Sequence, residues 1–245
     1  LSLQGTFDDC QDMVKAMFND AYFRKRMNLS AVNSINWARV VAQIVYYVSS
    51  AVALGAPDRP VSFSVPTGNF GNVFAAYGAK RMGVPIDKLF VGTNRNDILA
   101  RFFESGAMTM AAVEPSLSPS MDIQVSSNFE RLLFDLYGRD GAAVAETLTR
   151  FRQEGTFSVS ENALNSVRET FDGTRVSDDE TLAVIKKLHA GTGEILDPHS
   201  AIAVETADRL RHLAGTSPVI ALACAHPAKF PDAVERAVGL RPALP

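Results

Sequence analysis

Between Asp8 and Arg26 the apolar residues Met13, Met17, Phe18 and Tyr22 recur at helical spacing among acids and bases, which predicts an amphipathic helix. A longer helix is expected from about Ser34 to Leu54, where Ile35, Trp37, Val41, Ile44, Val45 and Val48 form a wide apolar face and Gly55-Ala-Pro57 stops it. The period then changes. Pro60-Val-Ser-Phe-Ser-Val-Pro66 has the pattern of a short strand, Thr67-Gly-Asn-Phe-Gly-Asn72 that of a loop, and Val73 to Met82 that of a helix. Lys88-Leu-Phe-Val-Gly92 is a second strand, about 27 residues after the first, the size of a right-handed βαβ crossover. An α/β sheet follows from this pattern.

Helices are further expected over Asn96 to Phe103, Phe129 to Tyr137, Ala142 to Phe151 and Glu161 to Phe171, with a polar, turn-rich stretch from Pro115 to Asp122. Ser177-Asp-Asp-Glu180 is a capping box for a helix over Thr181 to His189 that Gly191 and Gly193 end. Asp197 caps a helix opened by Pro198 and running to about Leu213. Pro218 to Cys224 forms the last strand and leads into Ala225-His-Pro-Ala-Lys-Phe230 and a short closing helix. Open α/β sheets bind ligands at the carboxyl ends of their strands, so the segments after Val65 and Leu222 are expected to face one pocket.

Composition narrows the classes. The chain has 245 residues, 47% hydrophobic and 21% charged, enough for a sizeable core in one or two domains. Its net charge is -3 and its basic residues are scattered among acids, which argues against a nucleic-acid partner. Cys10 and Cys224 suggest neither a disulfide framework nor a metal cluster, so a reducing compartment, the cytoplasm, is the default. The longest apolar stretch, Val40 to Leu54, is interrupted by Gln43, tyrosines and serines and is too short to span a membrane. Leu1-Ser-Leu-Gln-Gly5 resembles the middle of a polypeptide more than its start, so a preceding segment is expected.

The candidate chemistry begins at Gly68-Asn-Phe-Gly-Asn72. Two glycines between a strand and a helix let backbone approach a ligand, and the helix start offers N–H groups to an anion such as phosphate, a gain of about 1 kcal/mol before any side chain acts. A plain tight turn would look the same. The loop has neither the glycine spacing of a dinucleotide fold nor the ending of a P-loop.

The run Ser64-Val-Pro-Thr-Gly-Asn-Phe-Gly-Asn72 resembles the loop that holds the phosphate of pyridoxal 5'-phosphate (PLP) in threonine synthases. Other segments agree with that family in order: Gln4 to Cys10, Asn33-Ser-Ile-Asn-Trp-Ala-Arg39 with Gln43, Tyr46 and Tyr47, Gly92-Thr-Asn-Arg-Asn-Asp97, Ser118-Pro-Ser-Met-Asp122, Ser126 to Arg131, Asp197-Pro-His199 and Ala225 to Phe230. The resemblance implies an α/β fold of three layers, a central and mostly parallel sheet flanked by helices, as in fold type II PLP enzymes of the tryptophan synthase β kind. It divides the chain into residues 1–30, a remnant linking to a missing N-terminal domain, and 31–245, a large PLP-phosphate-binding domain.

The implied reaction converts O-phospho-L-homoserine and water into L-threonine and phosphate. Gly68, Asn69, Phe70 and Gly71 would cradle the PLP phosphate through their backbone amides, and Asn33, Ser34, Arg39 and Asn72 would grip the substrate phosphate, with Arg39 as a planar charged fork. Cys224 stands where the family usually has Thr to meet the pyridine nitrogen, and a thiol is the weaker partner. His226 and Lys229 belong to the same motif without an assigned role. The lysines present are Lys15, Lys25, Lys80, Lys88, Lys186, Lys187 and Lys229; none stands in the family's Schiff-base motif, so that lysine is expected upstream and the chain alone is expected not to turn over. Other readings stay open: a module for a nucleotide or sugar phosphate, another fold type II lyase or dehydratase, which would not need Asn33, Ser34 and Arg39, or a non-catalytic relative.

Overall fold

In the computed structural model, which describes residues 4–5, 7–30 and 36–244, the first apolar run forms two helices, α1 (Phe7–Asn19) and α2 (Ala21–Met27), rather than one. Asp20 separates them: it is extended, and its carboxylate accepts from Phe23 N at 2.9 Å, so a cap interrupts what the apolar spacing alone would continue. Helix α3 (Trp37–Ala53) starts where the Asn36 side chain accepts from Ala38 N. Then follow β1 (Val61–Pro66), α4 (Gly71–Arg81), β2 (Ile86–Thr93), α5 (Ile98–Ser105), β3 (Ala107–Thr109), α6 (Phe129–Leu136), α7 (Gly141–Glu154), β4 (Thr156–Ser158), α8 (Glu161–Arg168), β5 (Phe171–Arg175), α9 (Asp178–Thr192), α10 (Pro198–Leu210), β6 (Val219–Ala221) and α11 (Pro231–Val238).

Strands β5, β2, β1 and β6 form, in that order, a four-stranded sheet whose pairs are all parallel. Short β3 and β4 pair antiparallel beside it. Helices cover both faces. Phe171 of β5 stacks on Phe103 of α5 and lies against Tyr77 of α4, so those helices share one face. Gly92 of β2 faces the other way: a Cβ there would meet Thr206 and Ile202 of α10 at 2.5 and 2.9 Å, and only glycine lets that helix pack so closely. The fold is therefore the expected three-layer α/β arrangement.

The differences from expectation lie at the edges. The helix predicted to reach Phe171 stops at Arg168, and Phe171-Asp-Gly-Thr-Arg175 is an edge strand. Its polar content hid it, and Gly173 is small because a Cβ there would come within 2.9 Å of the Phe103 ring. The last strand is shorter than Pro218–Cys224, and α10 gives way to a 3-10 turn at Arg211. The capping box at Ser177 and Glu180 is present, and Gly193, not Gly191, takes the left-handed end of α9.

The chain runs from β1 outward to β2 and β5, then returns along the opposite face through α10 to β6 on the far side of β1. The strand order reverses between β1 and β6. Their carboxyl ends consequently flank a crevice at the topological switch point, where open sheets take their ligands.

Candidate functional site

The crevice is an open cleft of about 940 Å³. Pro66, Gly68 and Asn69 line it from the end of β1, Ile220 to Cys224 from β6 and the turn after it, and Ser120 and Met121 from the polar stretch. Helix α3 forms a further wall with Arg39, Gln43, Tyr46 and Ser50, which fall on one face of the helix. The expectation that the two strand ends face one pocket holds.

The loop after β1 is held from several sides. A Cβ on Gly68 would lie 3.0 Å from Met121 Cα and 3.1 Å from Ser120 O, so this glycine lets two backbones touch. Ser126 Oγ donates to Gly68 O at 2.8 Å, and Asn128 donates through both N and Nδ2 to Asn69 O at 3.0 Å. Asn69 Oδ1 accepts from Gly71 N at 3.0 Å, so of the loop's amides that of Gly71 already has a protein acceptor. Phe70 adopts a left-handed backbone, φ 65°, which costs a non-glycine residue about 1–2 kcal/mol. Its ring offsets this by burial among Phe103, Phe129 and Phe171. Phe70 and Gly71 thus shape the start of α4, and their side-chain positions do not line the cleft.

Asn72, one residue into α4, is the polar centre of the cleft. Tyr46 Oη and Tyr47 Oη both donate to its Oδ1, Tyr47 at 2.8 Å, and its Nδ2 faces Cys224 Sγ at 3.6 Å. The Cys224 thiol opens onto the cleft, yet enough protein surrounds it that burial first, and the Asp197 charge second, push its pKa up to about 11. It is a thiol, not a thiolate, at neutral pH.

Behind Cys224 stands a buried group at Asp197, expected from the sequence as a helix cap and as part of the Asp197-Pro-His199 segment. Asp197, 1% exposed, accepts from His199 N at 2.8 Å, from His199 Nδ1 at 2.9 Å, and from Ser200 N and Oγ. Burial pushes its carboxyl up, but the bonds from His199 and Ser200 outweigh that and hold it below its ordinary value. Ser200 Oγ in turn accepts from Cys224 N at 3.2 Å. His199, 5% exposed, lines the cleft, and its Nε2 has no partner. With an ionised Asp197 at Nδ1, the neutral ring carries its proton there. One signal in the sequence could have shown this: Asp followed two residues later by His at a helix start puts both on the first turn.

The polar motifs elsewhere are scaffold. Asn94 Nδ2 donates to Asp122 Oδ1 and Ser116 Oγ, each at 2.7 Å, and Asn96 joins the same carboxylate at 3.0 Å, which sets Ser120 and Met121 against the cleft. His226 caps the next turn by accepting from Ala228 N at 3.2 Å. Asn33 and Ser34 lie outside the described residues. The structure brings Arg39, Gly68, Asn69, Asn72 and Cys224 to one cleft, and among the described residues that line it there is no lysine.

The "Threonine synthase, C-terminal" family model matches residues 200–245. The chain is 54% identical over 246 residues to a threonine synthase of Pseudomonas aeruginosa, covering 100% of this chain and 52% of that protein. It superposes on the crystal structure of a PLP-bound threonine synthase from Brucella melitensis with a TM-score of 0.91 and 55% identity, over 100% of this chain and 52% of that one. This chain belongs to the threonine synthase family. Yeast threonine synthase is more distant, at TM-score 0.84 and 44% identity over 97% of this chain and 50% of that one. Maize serine racemase, at TM-score 0.52 and 10% identity, shares the fold alone. The chain spans about half the length of the threonine synthases it matches. Among its described residues no helix is long and apolar enough to cross a membrane.

Proposed function

We propose that this chain is the cofactor-binding half of a cytoplasmic, PLP-dependent threonine synthase, a carbon–oxygen lyase that converts O-phospho-L-homoserine and water into L-threonine and phosphate. The observation that carries the reading is the meeting, at the switch point of the sheet, of a helix start, Arg39, Asn72 and Cys224 around one cleft. Its volume of about 940 Å³ suits a cofactor together with a small substrate. The donor set suits two phosphates: a guanidinium, a side-chain amide and the backbone amides beside Gly71 at the start of α4.

PLP, when bound, supplies an electron sink at the substrate's α-carbon. This chain's residues do the holding. The backbone from Gly68 to Gly71 receives the cofactor phosphate at the start of α4, and the bonds from Ser126 and Asn128 keep that backbone from moving. Arg39 and Asn72, with Asn33 and Ser34, hold the substrate phosphate. Cys224, kept protonated, offers S–H to the pyridine nitrogen, a weaker contact than a hydroxyl would make. The lysine that links to PLP is supplied from upstream, with residues 1–30 as the connection and 31–245 as the PLP-phosphate-binding domain.

An absorbance titration of PLP into the natural polypeptide that contains this chain tests the reading, followed by borohydride reduction and mass analysis. We expect one reduced adduct, on a lysine outside residues 1–245. An adduct on any lysine from Lys15 to Lys229 would overturn the upstream assignment, and no adduct would overturn the cofactor.

A further inference from the structure

Asn72 has its amide oriented from both ends. A side-chain amide carries an acceptor oxygen and a donor nitrogen of nearly the same shape, so its neighbours decide which one a ligand meets. Here Tyr46 and Tyr47 both donate to Oδ1, which uses the two lone pairs of that oxygen. Tyr47 is fully buried and set edge-on against Phe63 at 4.8 Å, and the Tyr46 ring lies 4.8 Å from that of Tyr47. Burial raises both phenols, Tyr46 to about 12, so each keeps its proton to donate. Of the two hydrogens on Nδ2, one faces Cys224 Sγ.

We propose that Tyr46 and Tyr47 are specificity-determining positioning residues: by occupying Asn72 Oδ1 they turn its donor toward the cleft, so that this wall selects a ligand group that only accepts hydrogen bonds, a phosphate dianion. The inference rests on the reading that the cleft receives phosphate. Arg39 lies on the same wall and is also a pure donor, so with the amide locked these two side chains offer an anion donors alone. Without the lock, the amide can present its oxygen and repel the anion.

The test uses Tyr46→Phe, Tyr47→Phe and the double variant in the natural polypeptide, with inorganic phosphate binding followed by calorimetry and KM and kcat measured for O-phospho-L-homoserine. Each single variant keeps one hydroxyl on Oδ1 and is expected to weaken phosphate by no more than about threefold. The double variant is expected to weaken it about 30-fold or more, beyond the product of the singles, with KM rising in step and kcat within about threefold of the parent. A double variant that folds and binds phosphate within threefold of the parent would overturn the proposal while leaving the assigned reaction intact. If the parent protein neither binds phosphate nor releases it from the substrate, the reading of the cleft fails and the proposal falls with it. Should the double variant not fold, Asn72→Asp keeps both tyrosine bonds but replaces the cleft-facing donor with an acceptor; it must weaken phosphate at least as much, and unchanged affinity would overturn the proposal.

Discussion

Replacing Asp197 by alanine is expected to destabilise the protein by about 3–5 kcal/mol, the cost of breaking a buried, hydrogen-bonded charge network from one side. An ordinary helix cap is worth about 1 kcal/mol. Asp197 does more, because its carboxylate serves the first amides of α10, the His199 ring and the Ser200 hydroxyl, and Ser200 anchors Cys224 N. Removing it leaves buried donors without an acceptor. Asp197→Asn keeps the cap oxygen and is expected to lose less than half as much. The sign of the pH effect follows from the depressed carboxyl: its contribution is complete above the ordinary aspartate value of 3.8 and disappears as pH falls through the lower folded value. Urea unfolding of parent and variants at neutral pH measures this, and a loss for Asp197→Ala no larger than that of a surface cap would refute the network.

Phe171→Ala is expected to cost about 3–5 kcal/mol, as for a large aromatic removed from a packed core. Phe171 is 1% exposed and touches Phe70, Tyr77 and Phe103, the last nearly parallel at 5.7 Å. The same ring helps hold Phe70 in its left-handed conformation, so the void reaches the loop after β1. Thermal unfolding should show the lost stability, and PLP affinity should fall with it. A variant with normal PLP affinity despite reduced stability would separate the loop from the aromatic cluster.

The central βαβ unit was legible because Val61, Phe63 and Val65 alternate along one strand, Leu89, Phe90 and Val91 run together in the next, and the loop between strand and helix carries two glycines. The edge strand at Phe171 was not: Asp172, Gly173, Thr174 and Arg175 alternate weakly, and the close approach that makes Gly173 necessary is visible only in three dimensions. Local propensity likewise could not foresee that Asp20 would cap α2 and split one helix. At the site, Arg39, Asn72 and Cys224 were recognised singly, by resemblance. The connection of Asn72 and Cys224 with Tyr46, Tyr47, Ser200 and Asp197 joins residues far apart in the chain, and no spacing rule reports such contacts. Phe70 belongs to the loop by its backbone alone: the resemblance implies a phosphate contact through backbone amides, and the side chain is buried in the core.

The product balance when the PLP-loaded natural polypeptide meets O-phospho-L-homoserine tests the proposed reaction itself. We expect phosphate and L-threonine in equal amounts, with both lost together in Arg39→Met. Release of ammonia and a keto acid without threonine, or no reaction by a protein that has bound PLP, would contradict it.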